Sequence, residues 1–305
     1  MPELPDIELY VYALQQRVVG AVLQGIRLHS PFVLRTAAPS PASLCGSRVQ
    51  GVERRGKRIL LGMSGDRYVA LHLMISGRLH WREQGAKVGG KIHLAAFDFE
   101  NGTLVLTEAS SRKRAALHLL EGRAAVEALA PAALEPLECT AEEFAAVLRR
   151  ENHTVKRALT DPRLVSGIGN AYSDEILHAA RLSPVKWTSR MSDEECARLY
   201  AAVRSTLQTW CIRLKADAAE RWPDTVTAFR PGMAVHGRYR QPCPVCGAEV
   251  QRIVYAENEC NYCAECQNGG RLLADRSMSR LLKDDWPRSL EELENRRERL
   301  MGGAE

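Results

Sequence analysis

Apolar side chains recur every three or four positions at Leu4, Ile7, Val11, Leu14 and Val18, and Gly20 follows as a stop. That period predicts a helix over 5–19. From 21 to about 110 the chain breaks into short β-rich runs: VLQGIRL, RVQGVE, RILLGM, YVALHLMI, HLAAFDF and TLVLT. The last two are joined by Glu100-Asn101-Gly102, whose Asn-Gly step is a hairpin signal. The pattern predicts a β-sandwich carrying one helix. Beyond Ala115 strands are expected to give way to helices. Thr140/Glu143 and Ser192/Glu195 have capping-box spacing, and the second box opens a long helix with the stripe Cys196, Leu199, Tyr200, Val203, Leu207, Trp210, Cys211, Leu214. This is core spacing, so its two cysteines read as packing residues. Ser289 and Glu292 predict a cap for a short helix in the tail.

A length of 305 residues fits about two compact units. Hydrophobic residues at 45% and charged residues at 26% exclude wholesale disorder and fibrous repeats. Lys plus Arg (42) exceeds Asp plus Glu (37), a mild excess compatible with a polyanionic partner. No stretch reaches the roughly 18 apolar residues of a membrane span. MPELPDIELY carries acids where a signal peptide would be basic. A cytoplasmic protein without membrane contact is therefore expected, and in that compartment its nine cysteines are expected to stay out of disulfides.

Five cysteines crowd into residues 243–266. Cys243-Pro-Val-Cys246 and Cys263-Ala-Glu-Cys266 enclose sixteen residues, a spacing at which two tight turns present four thiolates to one zinc ion. Cys260-Asn-Tyr-Cys263 is also a CxxC but leaves only thirteen residues between the turns, so Cys243, Cys246, Cys263 and Cys266 are favoured as ligands. A closed Cys₄ site is structural, since no position remains for water. Gly167-Ile-Gly-Asn170 places a glycine turn before a helix. Its free N–H groups and an Asn170 donor could meet a phosphate, or the segment could be an ordinary helix end followed by an Asn cap. Arg54-Arg55-Gly56-Lys57-Arg58 is likewise either a phosphate grip or a solvated face.

PELPDIE, RGKRILL, GIGNAYSDEIL and HGRYRQPCPVCG…YCAECQ occur here in one order. Together they resemble the Fpg/Nei family of DNA glycosylases with AP-lyase activity, over roughly residues 2–268. The resemblance implies an α+β multidomain fold: an N-terminal catalytic β-sandwich over 1–115, a helix-two-turn-helix domain over 130–235, a Cys₄ zinc finger over 236–270, and an extension over 271–305 without counterpart. It implies a monomeric, nucleoid-associated enzyme acting on damaged double-stranded DNA. The exposed amine of Pro2, after loss of Met1, resembles the family's nucleophile, and Glu3 its proton-transfer residue. Lys57 and Asn170 resemble its phosphate contacts.

The departures bear on specificity. Where the family has a DPRRFG-like segment that fills the vacated space and reads the opposite strand, this chain has Glu108-Ala-Ser-Ser-Arg-Lys-Arg-Ala-Ala116, with Arg112 and Arg114 as candidate substitutes. Ile75 stands where many members insert a methionine, with Met74 beside it, so either is a candidate wedge. Asn258 replaces the hairpin arginine, whose phosphate contact is expected to be lost or moved to Arg252. Oxidised bases are the expected substrates, with bulkier or cross-linked lesions as an alternative. A non-catalytic damage-binding protein on the same scaffold is the reading from another class.

Overall fold

The computed structural model describes residues 1–129, 132–255, 258–274 and 287–301. The chain divides into two compact units, Met1–Glu135 with Leu207–Ala228, and Pro136–Thr206 with Phe229–Glu305.

In the first unit, α1 (Leu4–Val18) begins at Pro5's favoured early position, and the Asp6 carboxylate accepts the Glu3 backbone N–H at 2.9 Å. Leu4, Ile7, Leu14 and Val18 are fully buried, and the helix packs on β2 (Val49–Arg55) and β3 (Arg58–Met63). Two antiparallel four-stranded sheets form the sandwich. One has the order β1 (Leu23–Leu28), β6 (His93–Phe99), β7 (Gly102–Glu108), β5 (Gly77–Arg82). The other has the order β2, β3, β4 (Arg67–His72), β8 (Ala116–Glu121).

Three sequence expectations are corrected here. YVALHLMI is not one strand, because β4 ends at His72 and the chain turns sharply, with Gly77 N–H donating to the Leu73 carbonyl at 2.9 Å. A Cβ on Gly77 would lie 2.3 Å from that carbonyl oxygen, so only glycine closes the turn. Strands also continue past Ala115: β8 pairs along β4, with Leu117 and Leu119 pointing into the core. Its short alternating pattern gains strand character from the free edge of β4, a long-range partner. Lastly, the Asn-Gly hairpin forms, but with Glu100 and Asn101 as its two-residue loop and Phe99 paired to Gly102. Gly102 is needed less for the turn than for packing, since a Cβ there would meet the Trp81 ring at 2.3 Å. After the long helix, Trp222 donates from Nε1 to the Leu79 carbonyl at 2.9 Å and packs 5.9 Å from the Tyr10 ring.

The second unit is helical. Both capping boxes form, at α3 (Ala141–Leu148) and α6 (Asp193–Ala218). Between them lie α4 (Val155–Thr160) and α5 (Asn170–Ala179). The hairpin β9 (Val250–Tyr255) and β10 (Asn258–Cys263) leads into α7 (Ala264–Asn268). Two adjacent carboxylates of α5 organise this unit. Glu175 accepts the backbone N–H groups of Ala234, Val235 and His236 at 2.7, 2.9 and 2.9 Å. Asp174 receives Lys156 Nζ at 2.5 Å, His236 Nδ1 at 2.8 Å and the Asn261 N–H at 3.1 Å. In the tail, the Ser289 hydroxyl caps α8 (Leu290–Met301) by accepting from Glu292 N–H at 3.1 Å.

Gly102→Ala should force Trp81 out of position and cost about 1–3 kcal/mol, the usual penalty of overpacking. Thermal unfolding should show a melting temperature several degrees lower, with zinc-module cysteines unaffected in thiol titration.

Candidate active site and nucleic-acid interface

The buried start of α1 fixes the chain terminus. Pro2 is buried and Glu3 is 3% exposed. Lys57 sits on the turn between β2 and β3, where Gly56 takes φ +60° at the first central position, the geometry of a tight hairpin. Burial holds the Lys57 ammonium below its ordinary pKa, while Glu3 pulls the other way. The amine of Met1 is likewise lowered, first by burial and then by Arg78 and Lys57, with Glu3 and Asp6 opposing. An amine held partly neutral beside a carboxylate and two cations can act as a nucleophile. The Met1 amine, Glu3 and Lys57 thus share one electrostatic neighbourhood, with Pro2 next in the chain.

Sequence reasoning missed Arg78. Its guanidinium donates to the Ile75 and Gly77 carbonyls at 3.3 and 2.7 Å, bracing the turn before β5. The available signal was a basic residue directly after the turn glycine.

That turn carries both wedge candidates. Met74 is half-buried and adopts φ +52°, whereas Ile75 is 55% exposed. The loop after β7 is fastened by Glu108, which is 1% exposed. Its carboxylate accepts the N–H groups of Arg114 and Ala115 at 2.8 and 3.0 Å and the Ser76 hydroxyl at 3.2 Å. Arg112 and Arg114 are exposed.

In the second unit, Asn170 opens α5, and its side-chain amide donates to the Glu259 carbonyl of β10 at 2.8 Å. The helix start and the finger hairpin are thereby joined. Arg252 lies over the Tyr239 ring at 4.3 Å and pairs with Glu259 at 3.2 Å. Asn258 begins β10 opposite Tyr255, and its side chain lies outside the described residues.

The Sγ atoms of Cys243, Cys246, Cys263 and Cys266 all lie within 4.8 Å of one another. Zn–S bonds of about 2.3 Å in a tetrahedron require S···S edges of about 3.8 Å. Cys243 to Cys266 is 3.9 Å and Cys246 to Cys263 is 3.4 Å, so the cluster has the size and chemistry of one structural metal site. His178 Nε2 stands 3.2 Å from the Cys243 sulfur and orients it from α5. Cys260, 1% exposed, packs instead with Ile253, Tyr262 and Ala264, and burial pushes its thiol pKa up.

The formamidopyrimidine-DNA glycosylase N-terminal domain model matches residues 1–117, and the H2TH domain model of the same enzymes matches 129–220. The chain belongs to the formamidopyrimidine-DNA glycosylase family. A formamidopyrimidine-DNA glycosylase of a Roseiflexus species is 32% identical over 282 residues, covering 88% of this chain and all of that one. An uncharacterized formamidopyrimidine-DNA glycosylase-like protein of Mycobacterium tuberculosis is 39% identical over 160 residues, half of this chain and 96% of its own. Among solved structures, the Lactococcus lactis Fpg with abasic-site DNA superposes with a TM-score of 0.77 at 25% identity, covering 87% of this chain and 99% of that one. The same enzyme with DNA containing an oxidized pyrimidine also gives 0.77, at 25% identity over 88% of this chain and all of that one. The family's sandwich, helix-two-turn-helix and four-cysteine modules are all present. Among the described residues, no helix is long and apolar enough to cross a membrane.

Cys263→Ser should lose the bound metal, whereas Cys260→Ser should keep one equivalent per chain. Elemental analysis of the purified variants checks this, and equal metal loss in both would overturn the ligand assignment.

Proposed function

We propose that this protein is a bifunctional base-excision DNA glycosylase and AP lyase with Pro2 as nucleophile. The observation that carries the reading is the Met1 amine, one residue ahead of Pro2, its pKa lowered by burial and by Arg78 and Lys57, with Glu3 beside it. Loss of Met1 transfers the terminal amine to Pro2. The Pro2 nitrogen attacks the sugar C1′ of an everted nucleotide, and the damaged base leaves with the bonding pair and takes up a proton. Glu3 takes the proton that the attacking Pro2 nitrogen gives up and passes it to the ring oxygen as the sugar opens, so the freed nitrogen lone pair forms an iminium with C1′. The iminium acidifies C2′; loss of that proton expels the 3′ phosphate and nicks the strand. Water then hydrolyses the iminium and frees Pro2.

Lys57 and Asn170 would hold backbone phosphates, and Ile75, the more exposed of the turn pair, would fill the gap left by the everted base. Arg252 would supply a hairpin contact, and Arg112 and Arg114 would face the strand opposite the lesion. One zinc ion on the four cysteines would keep the hairpin folded. The substrate class proposed is oxidised bases, 8-oxoguanine and formamidopyrimidines first.

Borohydride trapping on abasic-site DNA tests the nucleophile. Pro2→Gly should reduce the covalent adduct, and an uncleavable N-terminal tag should nearly abolish it. An adduct mapped by mass spectrometry to a lysine would refute the assignment. The trapping rate should rise with pH through a limb below the ordinary α-amine value of about 8, because only the neutral amine attacks. Arg78→Gln should move that limb upward, since it removes a cation that disfavours the ammonium.

The loop at Ser110–Arg114 has no aromatic residue to stack into the vacated space. Discrimination by the opposite base should accordingly be weak. Excision of 8-oxoguanine opposite each of the four bases measures this; a strong cytosine preference that Arg112→Ala or Arg114→Ala removes would show that the arginines read the base after all.

A further inference from the structure

The chain turns back on itself after the last ligand cysteine. α7 ends at Gly269 in the left-handed region, φ +57°, and Gly270 follows at φ +77°. The Asn268 amide fastens this turn by donating to the Arg271 carbonyl at 2.7 Å. Arg271 then bridges to Ser289 in antiparallel sense, and the Leu272 N–H donates to the Arg288 carbonyl at 3.0 Å. The residues just after the turn are thereby joined to the start of α8.

Strand register decides what this tail meets. Ile253 is opposite Cys260, and Tyr262 lies two residues further along β10, so the three side chains share one face of the hairpin. Arg252, opposite Asn261, belongs to the other face together with Glu259. The first face is apolar and buried, and Leu272, Leu273 and Leu290 of the tail pack against it beside Ala264. The Tyr262 hydroxyl, one residue from the ligand Cys263, accepts the Leu273 N–H at 2.8 Å. α5 meets a different part of the hairpin. Its Asn170 and Asp174 side chains bond to the Glu259 carbonyl and the Asn261 N–H, which are backbone groups along the edge of β10. A two-stranded hairpin is marginal alone and needs a layer over its apolar face. In the first unit α2 (Arg123–Ala128) covers a sheet face in this manner, Val126 closing over Leu60, Ala70 and Leu120. Here the leucines of the tail do so.

We propose that the tail is a brace of the cysteine module, in which Leu273, Leu290 and the Tyr262 hydroxyl act as positioning residues. They back the hairpin on its apolar face, so that Arg252 is presented from the opposite face and Cys263 is held in the metal cluster. The brace also accounts for the fifth cysteine. Cys260 and Cys263 are three residues apart on one strand, so their side chains point to opposite faces, and the leucines close over the Cys260 thiol on the side away from the metal. That Arg252 meets DNA rests on the reading of DNA as the partner; the bracing of the module does not.

The test uses the full zinc-loaded chain and a maleimide, with labelled cysteines mapped by mass spectrometry. In the wild type the exposed Cys45 should react promptly and Cys260 should stay protected. Leu273→Ser with Leu290→Ser should label Cys260 about tenfold faster or more, because two half-buried leucines no longer oppose opening of the face. The same variant should release zinc faster to a chelator. Tyr262→Phe should shift both rates in the same direction by less, and Leu273→Met with Leu290→Met should restore protection. Cys139 and Cys196, buried elsewhere in the same unit, should remain unlabelled. If they label in the double serine variant, that variant has unfolded, and Leu290→Ser and Tyr262→Phe carry the test. Prompt labelling of Cys260 in the wild type, or wild-type labelling and zinc release in the variants, overturns the brace. A second arm measures affinity for a duplex with a stable abasic analogue. The serine variants remove no charge, so they should weaken binding at an unchanged slope of log affinity against log salt, whereas Arg252→Gln should flatten that slope by about one unit. Faster labelling with wild-type affinity would overturn the positioning of Arg252. No binding by the wild type would sink the DNA reading and leave the brace to be judged by labelling and zinc release.

Discussion

The seating of the first turn of α1 is the constraint on which the proposed chemistry depends. A chain terminus ordinarily frays, because a few exposed residues cannot offset their own conformational entropy. Here Leu4 and Ile7 are fully buried, each worth about 1.5–3 kcal/mol of transfer free energy, enough to hold the residues before them. Pro2 and Glu3 are carried into the protein as a consequence. The same burial lowers the pKa of the Met1 amine.

In the second unit the corresponding role falls to two neighbouring carboxylates. Asp174 and Glu175 are 1% and 6% exposed, and burying them is tolerable because each is surrounded by donors. Lys156, His236 and the Asn261 N–H answer Asp174, and three successive backbone N–H groups answer Glu175. Those donors belong to α4, to the segment leading into the cysteine module, and to its hairpin. One short stretch of α5 therefore sets the helix start at Asn170, the hairpin, and through His178 the first metal-ligand cysteine. Loss of either carboxylate would leave several buried donors unmatched at once.

The loop after β7 is not loosely held. Glu108 ties its far end back to the sheet, and Gly77 lets the turn before β5 close beside it. Its arginines are free to face solvent while its backbone is fixed.

Much of this was legible in the sequence because the signals are local. The 3.6-residue stripe gave α1, the Ser/Thr-x-x-Glu boxes gave the starts of α3 and α6, and the CxxC spacing singled out Cys266 over Cys260 as the partner of Cys263. Motif resemblance drew attention to Pro2, Glu3 and Lys57, whose shared neighbourhood arises when α1 packs on the hairpin. Only tertiary structure decided the rest. β8 exists because β4 offers it an edge, Gly102 is required because Trp81 crosses it, and Arg78 acts on the Met1 amine because β5 follows the Met74–Gly77 turn. Strand register alone brings Arg58, His72 and His118 onto one face of the sheet. Each of these depends on contacts between residues far apart in the chain, which neither periodicity nor spacing encodes.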